Sequence, residues 1–187
     1  METIDELKLI LSPEKIKERV GELGRQITAD YQGKDMVVVG ILKGAFIFMA
    51  DLVRQIDLPF QMDFVRLQSY GAATESSGQI SITKDVELSL KDKHVLVIED
   101  IIDTGFTLKY LIEMLKLHET ASVKLCCLID KKERRKVEID ADYVGFEIER
   151  GFLVGYGLDY NEQYRQLPGI YHLSPRYEAK GFFPSDR

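Results

Sequence analysis

The stretch Val95–Leu108, which reads VLVIEDIIDTGFTL, decides the fold class of this chain. It begins with apolar, largely β-branched residues typical of a buried strand, continues through two acids and a turn with a third acid, and ends by opening a helix. Backbone N–H groups at such a turn and helix start have no internal acceptor, so they can bind an anion together. Residues Thr104 to Thr107 are therefore predicted to form a phosphate-binding turn, in which Gly105 allows a close approach.

This turn differs from the common nucleotide-binding loops, because the chain contains neither a Walker A sequence nor a G-x-G-x-x-G turn. Three acids, Glu99, Asp100 and Asp103, lie beside the predicted phosphate site. They would repel a phosphate unless they contact sugar hydroxyls, a bound Mg²⁺ or a proton. The predicted ligand is therefore a phosphorylated ribose that carries a second anionic group.

The segments around this stretch predict an α/β protein with an open, mostly parallel sheet flanked by helices. Strands are predicted over 36–41, 61–68, 94–98 and 123–129, and helices from Ser12-Pro13 to about Gly33, from Gly44 to about Gln55, and around Leu108 to Leu115. Strand, helix and strand with short connections favour right-handed βαβ units, whose ligands bind beyond the carboxyl ends of the strands. The polar run Ser69 to Ser77 is predicted to be a mobile loop.

Length and composition favour one globular domain over residues 1–187, with a core of about 36–145 and elaborations at both ends. The net charge of −6 argues against nucleic acid as a partner. The longest apolar stretch, Met36 to Leu42, is too short to span a membrane, and the acidic N-terminus is unlike a signal peptide. Cys126 and Cys127 are adjacent in an apolar run, which predicts two buried small hydrophobes and a cytoplasmic location.

The stretch Val95–Leu108 resembles the motif of the type I phosphoribosyltransferases, in which two acids precede an Asp-Thr-Gly-x-Thr turn that binds the 5′-phosphate of phosphoribosyl pyrophosphate. Five further motifs, in order over residues 36–171, are similar to the 6-oxopurine enzymes of that family: LKG at 42–44, SY at 69–70, DK at 130–131, GFLVG at 151–155 and LDYNE at 158–162. The resemblance implies the type I phosphoribosyltransferase fold, with a small purine-binding hood built from the chain ends.

The resemblance also implies an activity. Ribose 5-phosphate would pass from phosphoribosyl pyrophosphate to N9 of hypoxanthine or guanine, with Mg²⁺ as cofactor and pyrophosphate as the second product. Members of the family are commonly homodimers or homotetramers. The partners expected for this chain are therefore small-molecule substrates and further copies of itself.

The acids take their implied roles from the family motif. Glu99 and Asp100 match the residues that contact the ribose hydroxyls and the surroundings of a first Mg²⁺, and Asp159 matches a residue near a second Mg²⁺ and the purine. Asp103 matches the general base or acid at purine N7. None of the histidines lies in a motif, so a carboxylate must carry any proton transfer.

The remaining motifs supply the other substrate-binding residues. Lys43 and Gly44 match a pyrophosphate-binding loop whose backbone often takes a cis peptide that is not at proline, and Arg165 matches an arginine that closes on pyrophosphate. Ser69 and Tyr70 open the predicted loop, which is suited to exclude water during the reaction.

Base selection is assigned to Lys131, whose ammonium group has only donors and can bind a 6-oxo group but not the 6-amino group of adenine. Phe152 offers a face for stacking on the purine, and the backbone of Leu153 matches the position that contacts the base's other edge. The charged residues that follow Lys131, up to Lys136, are interpreted as a solvated loop. Phe106 departs from the family pattern, which often has a polar or basic residue there.

Two alternatives remain open. One is a regulator that keeps the phosphoribosyltransferase fold and binds RNA, although the net charge and the presence of Asp103 and Lys131 argue against it. The other is a transferase that prefers xanthine, because Lys131 would bind any 6-oxo group.

Overall fold

The computed structural model describes residues 7–70 and 79–173 of the chain. Its elements, in chain order, are β1 (Leu7–Leu11), α1 (Pro13–Asp30), β2 (Met36–Leu42), α2 (Phe46–Val53), β3 (Gln61–Tyr70), β4 (Gln79–Lys84), β5 (His94–Ile102), α3 (Phe106–Lys116), β6 (Ser122–Asp130), β7 (Tyr143–Glu147), β8 (Leu153–Val154) and β9 (Ile170–Leu173).

The larger of two sheets has six strands in the order β4-β3-β2-β5-β6-β7. All neighbours pair in parallel except β3 and β4, which are antiparallel. The predicted open, mostly parallel α/β sheet is therefore confirmed. The carboxyl ends of β2, β5 and β6 share one edge of this sheet, and the motifs that follow those strands meet there.

The sheet is covered on both faces, as the apolar runs without alternation predict. Successive residues of β2 enter different cores: Met36 and Val38 pack with α1 and α2, whereas Val37 and Val39 pack with α3. Each face of the sheet thus has its own hydrophobic cluster, and the central strands are fixed from both sides.

Helix α1 begins as the sequence predicts. The side chain of Ser12 accepts a hydrogen bond from the backbone N–H of Lys15 at 3.4 Å, and Pro13 occupies the first helical position. The predicted apolar face, which contains Ile16, Val20, Leu23 and Ile27, is buried against the sheet.

Two predicted boundaries are wrong. Strand β5 runs to Ile102 rather than Ile98, because Ile101 and Ile102 continue the parallel pairing with Ile129 and Asp130 of β6. Strand β3 runs through Ser69 to Tyr70, which pairs with Gln79 of β4, so the predicted loop begins later than Ser69. The rest of that loop, residues 71–77, lies outside the described residues.

A second, three-stranded antiparallel sheet joins the two ends of the described chain in the order β1-β9-β8. Leu7 pairs with Leu173, and Leu153 pairs with His172. This small sheet from the chain ends matches the expected hood, although none of its three strands was predicted.

None of the helices within residues 7–70 and 79–173 has the length and apolar character needed to cross a membrane. Cys126 and Cys127 are fully buried free thiols in β6, as predicted. Burial raises the pKa of both thiols, which favours the neutral, unreactive form.

Candidate active site

A cavity of about 650 Å³ lies beyond the carboxyl ends of β2, β5 and β6, next to the small sheet. Most of the residues predicted to form a site line this cavity: Lys43, Gly44, Glu99, Asp100, Asp103, Thr104, Gly105, Thr107, Lys131, Phe152, Leu153, Asp159 and Arg165. The structure thus brings together motifs that are far apart in the sequence.

The predicted phosphate-binding turn leads into α3. Gly105 caps the helix with a φ of 86°, a left-handed conformation that favours glycine. A Cβ at this position would also lie 2.8 Å from methyl groups of both Val137 and Ile139. Gly105 therefore permits the tight turn that exposes the first N–H groups of α3, from Phe106 onward, at the edge of the cavity.

Phe106 contributes no side chain to the cavity lining, and its ring is 49% exposed. The departure from the family pattern therefore affects the outer side of the turn rather than the cavity. We expect Phe106→Ala to change the KM for phosphoribosyl pyrophosphate by less than about twofold, whereas Thr107→Ala raises it several-fold. Steady-state kinetics with varied donor tests this, and a large rise in KM for Phe106→Ala would contradict the placement.

Glu99 and Asp100 place two neighbouring carboxyl groups in the cavity wall. Burial and the adjacent charge of Asp100 raise the pKa of Glu99 well above its ordinary value, and burial also raises the pKa of Asp100. The backbone N–H groups of Asp100 and Ile101 donate to these carboxyl groups at 2.9 and 2.8 Å. Two acids in such surroundings are stabilised by a cation or by hydroxyl donors, as a ribose would supply.

The donor set fits a hard cation such as Mg²⁺, which prefers carboxylate oxygens and commonly shares its coordination between one or two carboxylates and substrate phosphates. Within residues 7–70 and 79–173, no cluster of three or more Asp, Glu, His or Cys is arranged to hold a metal by itself. Glu99 and Asp100 for a first ion, and Asp159 for a second, would therefore share the coordination with the substrate.

Asp103 lines the cavity, and its side chain is 31% exposed. Its Oδ1 atom is buried and has no hydrogen-bond partner among the described residues, whereas Oδ2 lies 3.3 Å from a guanidinium nitrogen of Arg134. The carboxylate can therefore accept a proton or hydrogen bond from a ligand in the cavity.

The loop after β6 is not uniformly solvated, so the interpretation of residues 132–136 as a solvated loop is wrong for Arg135, whereas Arg134 is exposed. Arg135 donates to the backbone oxygens of Asp103 at 3.1 Å and Ile139 at 2.7 Å, and it pairs with Asp130. Arg134 lines the cavity. The alternation of burial along this loop, which a run of charges conceals, explains the error.

The turn after β2 places Gly44 directly against Asp100. The peptide bond between Leu42 and Lys43 is cis, as the resemblance implies. A Cβ on Gly44 would lie 1.7 Å from Oδ2 of Asp100, and a Cβ on Gly157 would lie 2.1 Å from the carbonyl oxygen of Gly44. The absence of side chains at both glycines thus brings this turn against the acidic wall.

We expect Gly44→Ala to lower kcat/KM by at least about tenfold, because the added methyl group must displace the Asp100 carboxylate. Gly21→Ala in α1 is the matched control, since its added methyl has its nearest contact at 3.5 Å. Kinetics and thermal melts of both variants separate a site effect from unfolding. Full activity of a folded Gly44→Ala variant would contradict the tight approach.

Lys131 is 8% exposed and lies directly after β6, where its backbone N–H donates to the carbonyl of Ile102 at 3.1 Å. Its Nζ atom is 3.4 Å from Glu133, which also accepts a bond of 3.4 Å from the N–H of Gly151. The next residue is Phe152, whose ring packs edge to face with the ring of Tyr160. The centroids of the two rings are 5.6 Å apart. Glu133 thereby connects the buried ammonium group to the loop that carries the aromatic ring.

Arg165 lines the same cavity. Its guanidinium group contacts Oδ1 of Asp159 at 2.8 Å and the carbonyl of Gly157 at 2.7 Å. Nε of Arg165 is buried and has no hydrogen-bond partner among the described residues. An anionic ligand could therefore engage this side chain further.

Of the predicted site residues whose side chains the structure describes, only Phe106 is not in the lining. Ser69 and Tyr70 are described only as part of the backbone of β3. Conversely, the cavity contains charged residues that sequence reasoning missed, namely Arg66, Arg134 and Glu162. Glu162 lies inside the LDYNE motif at 158–162, so that motif was the available signal.

Comparison with known proteins supports the resemblance to the phosphoribosyltransferases. Residues 7–161 match the model of the phosphoribosyl transferase domain. The chain is 48% identical over 173 residues to the hypoxanthine-guanine phosphoribosyltransferase of Bacillus subtilis. The aligned residues make up 92% of this chain and 96% of that protein. The chain belongs to the phosphoribosyltransferase family.

Other members of the phosphoribosyltransferase family agree in structure and in sequence. A crystal structure of a hypoxanthine phosphoribosyltransferase from Staphylococcus aureus superposes with a TM-score of 0.89 at 46% identity, covering 95% of this chain and 98% of that one. The bifunctional protein TilS/HprT of Listeria monocytogenes is 50% identical over 168 residues, which are 90% of this chain. The chain spans about a quarter (26%) of the length of that relative.

Proposed function

We propose that this chain catalyses the Mg²⁺-dependent transfer of ribose 5-phosphate from phosphoribosyl pyrophosphate to N9 of hypoxanthine or guanine, a reaction of purine salvage. One observation carries the proposal: a single cavity holds the turn at Thr104–Thr107, the buried oxygen of Asp103 and the buried ammonium group of Lys131. These groups suit the phosphate, the reacting base nitrogens and the 6-oxo group of the two substrates.

The base is proposed to lie between Lys131 and Phe152. The ammonium group of Lys131 donates to the 6-oxo group, and the ring of Phe152, supported by Tyr160, stacks on the purine. The backbone of Leu153 contacts the other edge of the base. Adenine, which presents an amino group to the same ammonium, is a very poor substrate under this arrangement.

The donor is proposed to span the cavity. Its 5′-phosphate binds the N–H groups and hydroxyls of the turn at Thr104–Thr107, and its ribose hydroxyls donate to Glu99 and Asp100. Its pyrophosphate group binds at Lys43, Gly44 and Arg165, where two cationic side chains are available. Ser69 and Tyr70 begin the segment proposed to cover the donor.

In the proposed reaction, N9 of the base forms a bond to C1′ of the ribose while the bond from C1′ to the pyrophosphate oxygen breaks. The electron pair of the broken bond leaves with pyrophosphate. The proton on N7 of the base passes to the carboxylate of Asp103, which lines the cavity. The acids near the ribose favour the positive character that develops at C1′.

Bound Mg²⁺ would neutralise charge on the leaving pyrophosphate. Glu99 and Asp100 would hold a first ion, and Asp159 a second ion, together with the donor. We further propose that the chain is a single cytoplasmic domain that assembles as a homodimer or homotetramer. Its other partners are then small molecules rather than nucleic acids or membranes.

A competition assay tests the proposal. Hypoxanthine, guanine, xanthine and adenine are supplied together with phosphoribosyl pyrophosphate and Mg²⁺, and the nucleotide products are separated. Formation of inosine and guanosine monophosphates, with no adenosine monophosphate, is the expected result. Predominance of the xanthine product would favour the alternative specificity, and absence of any product, with RNA retained in a gel shift at physiological salt, would favour a regulator.

A further inference from the structure

Glu162 is a charged residue of the cavity to which the reaction assigns no role. Its Oε2 atom lies 2.9 Å from Nζ of Lys43 and 3.3 Å from a guanidinium nitrogen of Arg165. A single carboxylate oxygen thus bridges two cations that come from loops more than a hundred residues apart. All three side chains line the same cavity.

The surrounding loop fixes the backbone position of Glu162. The backbone N–H of Glu162 donates to Oδ2 of Asp159 at 2.9 Å, and Arg165 binds Oδ1 of the same residue. Glu162 and its neighbour Asn161 have φ angles of 62° and 49°, so the loop turns sharply toward Lys43. The Glu162 side chain is nevertheless 55% exposed, which leaves it free to rotate away when a ligand arrives.

The two cations stabilise the ionised form of this acid. Hydrogen bonds from Lys43 and Arg165 lower the pKa of Glu162, so it is a carboxylate at neutral pH. An anion that binds Lys43 and Arg165 must therefore replace this carboxylate or accept its repulsion.

We infer that Glu162 competes with the pyrophosphate group for Lys43 and Arg165. Its carboxylate pairs with these two cations when pyrophosphate is not bound, and this pairing weakens the binding of pyrophosphate there. This inference rests on the proposed function, which assigns the same two cations to the pyrophosphate group. Glu162 would then be a residue of the site that lowers the affinity for pyrophosphate rather than raising it. A site that binds a highly charged product too tightly releases it slowly, so the competitor favours turnover.

The size of the effect follows from the exposure of the pairs. Ion pairs to a half-exposed carboxylate such as Glu162 are weak, and two of them together change an affinity by about three- to tenfold. Neutralising Glu162 is therefore expected to tighten pyrophosphate binding by that factor. The KM for the purine base should not change, because no contact links Glu162 to Lys131 or Phe152 in the part of the chain that the structure describes.

Titration calorimetry of pyrophosphate, with Mg²⁺ present, into the full chain tests the inference without relying on turnover. Wild type is compared with Glu162→Gln and Glu162→Ser, two neutral variants, so the result does not depend on one of them folding. Glu113→Gln removes a charge from the exposed side of α3, outside the cavity, and is the matched control. The expected result is about three- to tenfold tighter binding for the two Glu162 variants and unchanged binding for the control.

A second comparison shows whether the effect passes through the cations. In a Lys43→Met background, Glu162→Gln should gain less than it does in the wild-type background, because one of the two contested cations is gone. If wild type binds pyrophosphate but neutral Glu162 variants bind it equally or more weakly, the inference is overturned and the proposed function stands. If wild type binds neither pyrophosphate nor phosphoribosyl pyrophosphate, the proposed function fails and the inference fails with it.

Discussion

Replacing Asp103 with asparagine is expected to lower kcat by about 10²- to 10⁴-fold, the range typical for loss of a positioned acid or base. The amide keeps the size of the side chain but cannot take the N7 proton as the cavity-lining carboxylate does. The dissociation constant of phosphoribosyl pyrophosphate should change far less, because the phosphate turn, Lys43 and Arg165 remain in place. Single-turnover kinetics and equilibrium binding of the donor measure the two quantities separately.

Asp140→Asn is the matched control for this prediction, since Asp140 is exposed on the loop between β6 and β7 and does not line the cavity. It should retain wild-type kcat. Equal losses of turnover and donor affinity in Asp103→Asn would contradict a proton-transfer role, and would instead indicate that Asp103 positions the donor.

Removing the ammonium group of Lys131 is expected to weaken the binding of hypoxanthine and guanine by about 10- to 100-fold, as for loss of a charged hydrogen bond. Adenine should be as poor a substrate for Lys131→Ala as for wild type, so the preference for 6-oxopurines falls by the same factor. The lysine is 8% exposed and lines the cavity, and its ammonium group lies 3.4 Å from Glu133.

The adjacent Lys132 provides the control, because its side chain is 62% exposed and lies near Asp130 and Glu147 instead of the cavity. Base KM values and nucleotide product ratios for Lys131→Ala and Lys132→Ala make the comparison. Unchanged base affinity in Lys131→Ala would contradict the role of Lys131 in selecting 6-oxopurines, whatever the effect on kcat.

The sequence predicts the parts of this fold that local physics determines. The uninterrupted apolar runs of β2 and β5 require cover on both faces, and Ser12-Pro13 defines a helix start, so these elements are recognisable without tertiary information. The hood is different. Its strand β1 pairs with β9, more than 150 residues away, and β8 has only two residues, so the pairings that form this sheet cannot be inferred from local sequence.

The site shows the same division. The turn at Thr104–Thr107 and Lys131 follow strand ends and are found from order along the chain. The closeness of Gly44 to Asp100, and the pairs that Arg134 forms with Asp103 and Glu162 with Lys43, depend on how loops from distant segments meet. Such side chains appear in the sequence as ordinary surface charges, which explains why Arg134 and Glu162 were not recognised.

The most direct test of the central claim is a crystal structure of the protein with inosine monophosphate. The account predicts that the 5′-phosphate lies against the backbone N–H groups from Thr104 to Thr107, with the ribose hydroxyls at Glu99 and Asp100 and the 6-oxo group at Lys131. A nucleotide bound with its phosphate elsewhere, or a turn that remains free of phosphate at saturating nucleotide, would contradict it.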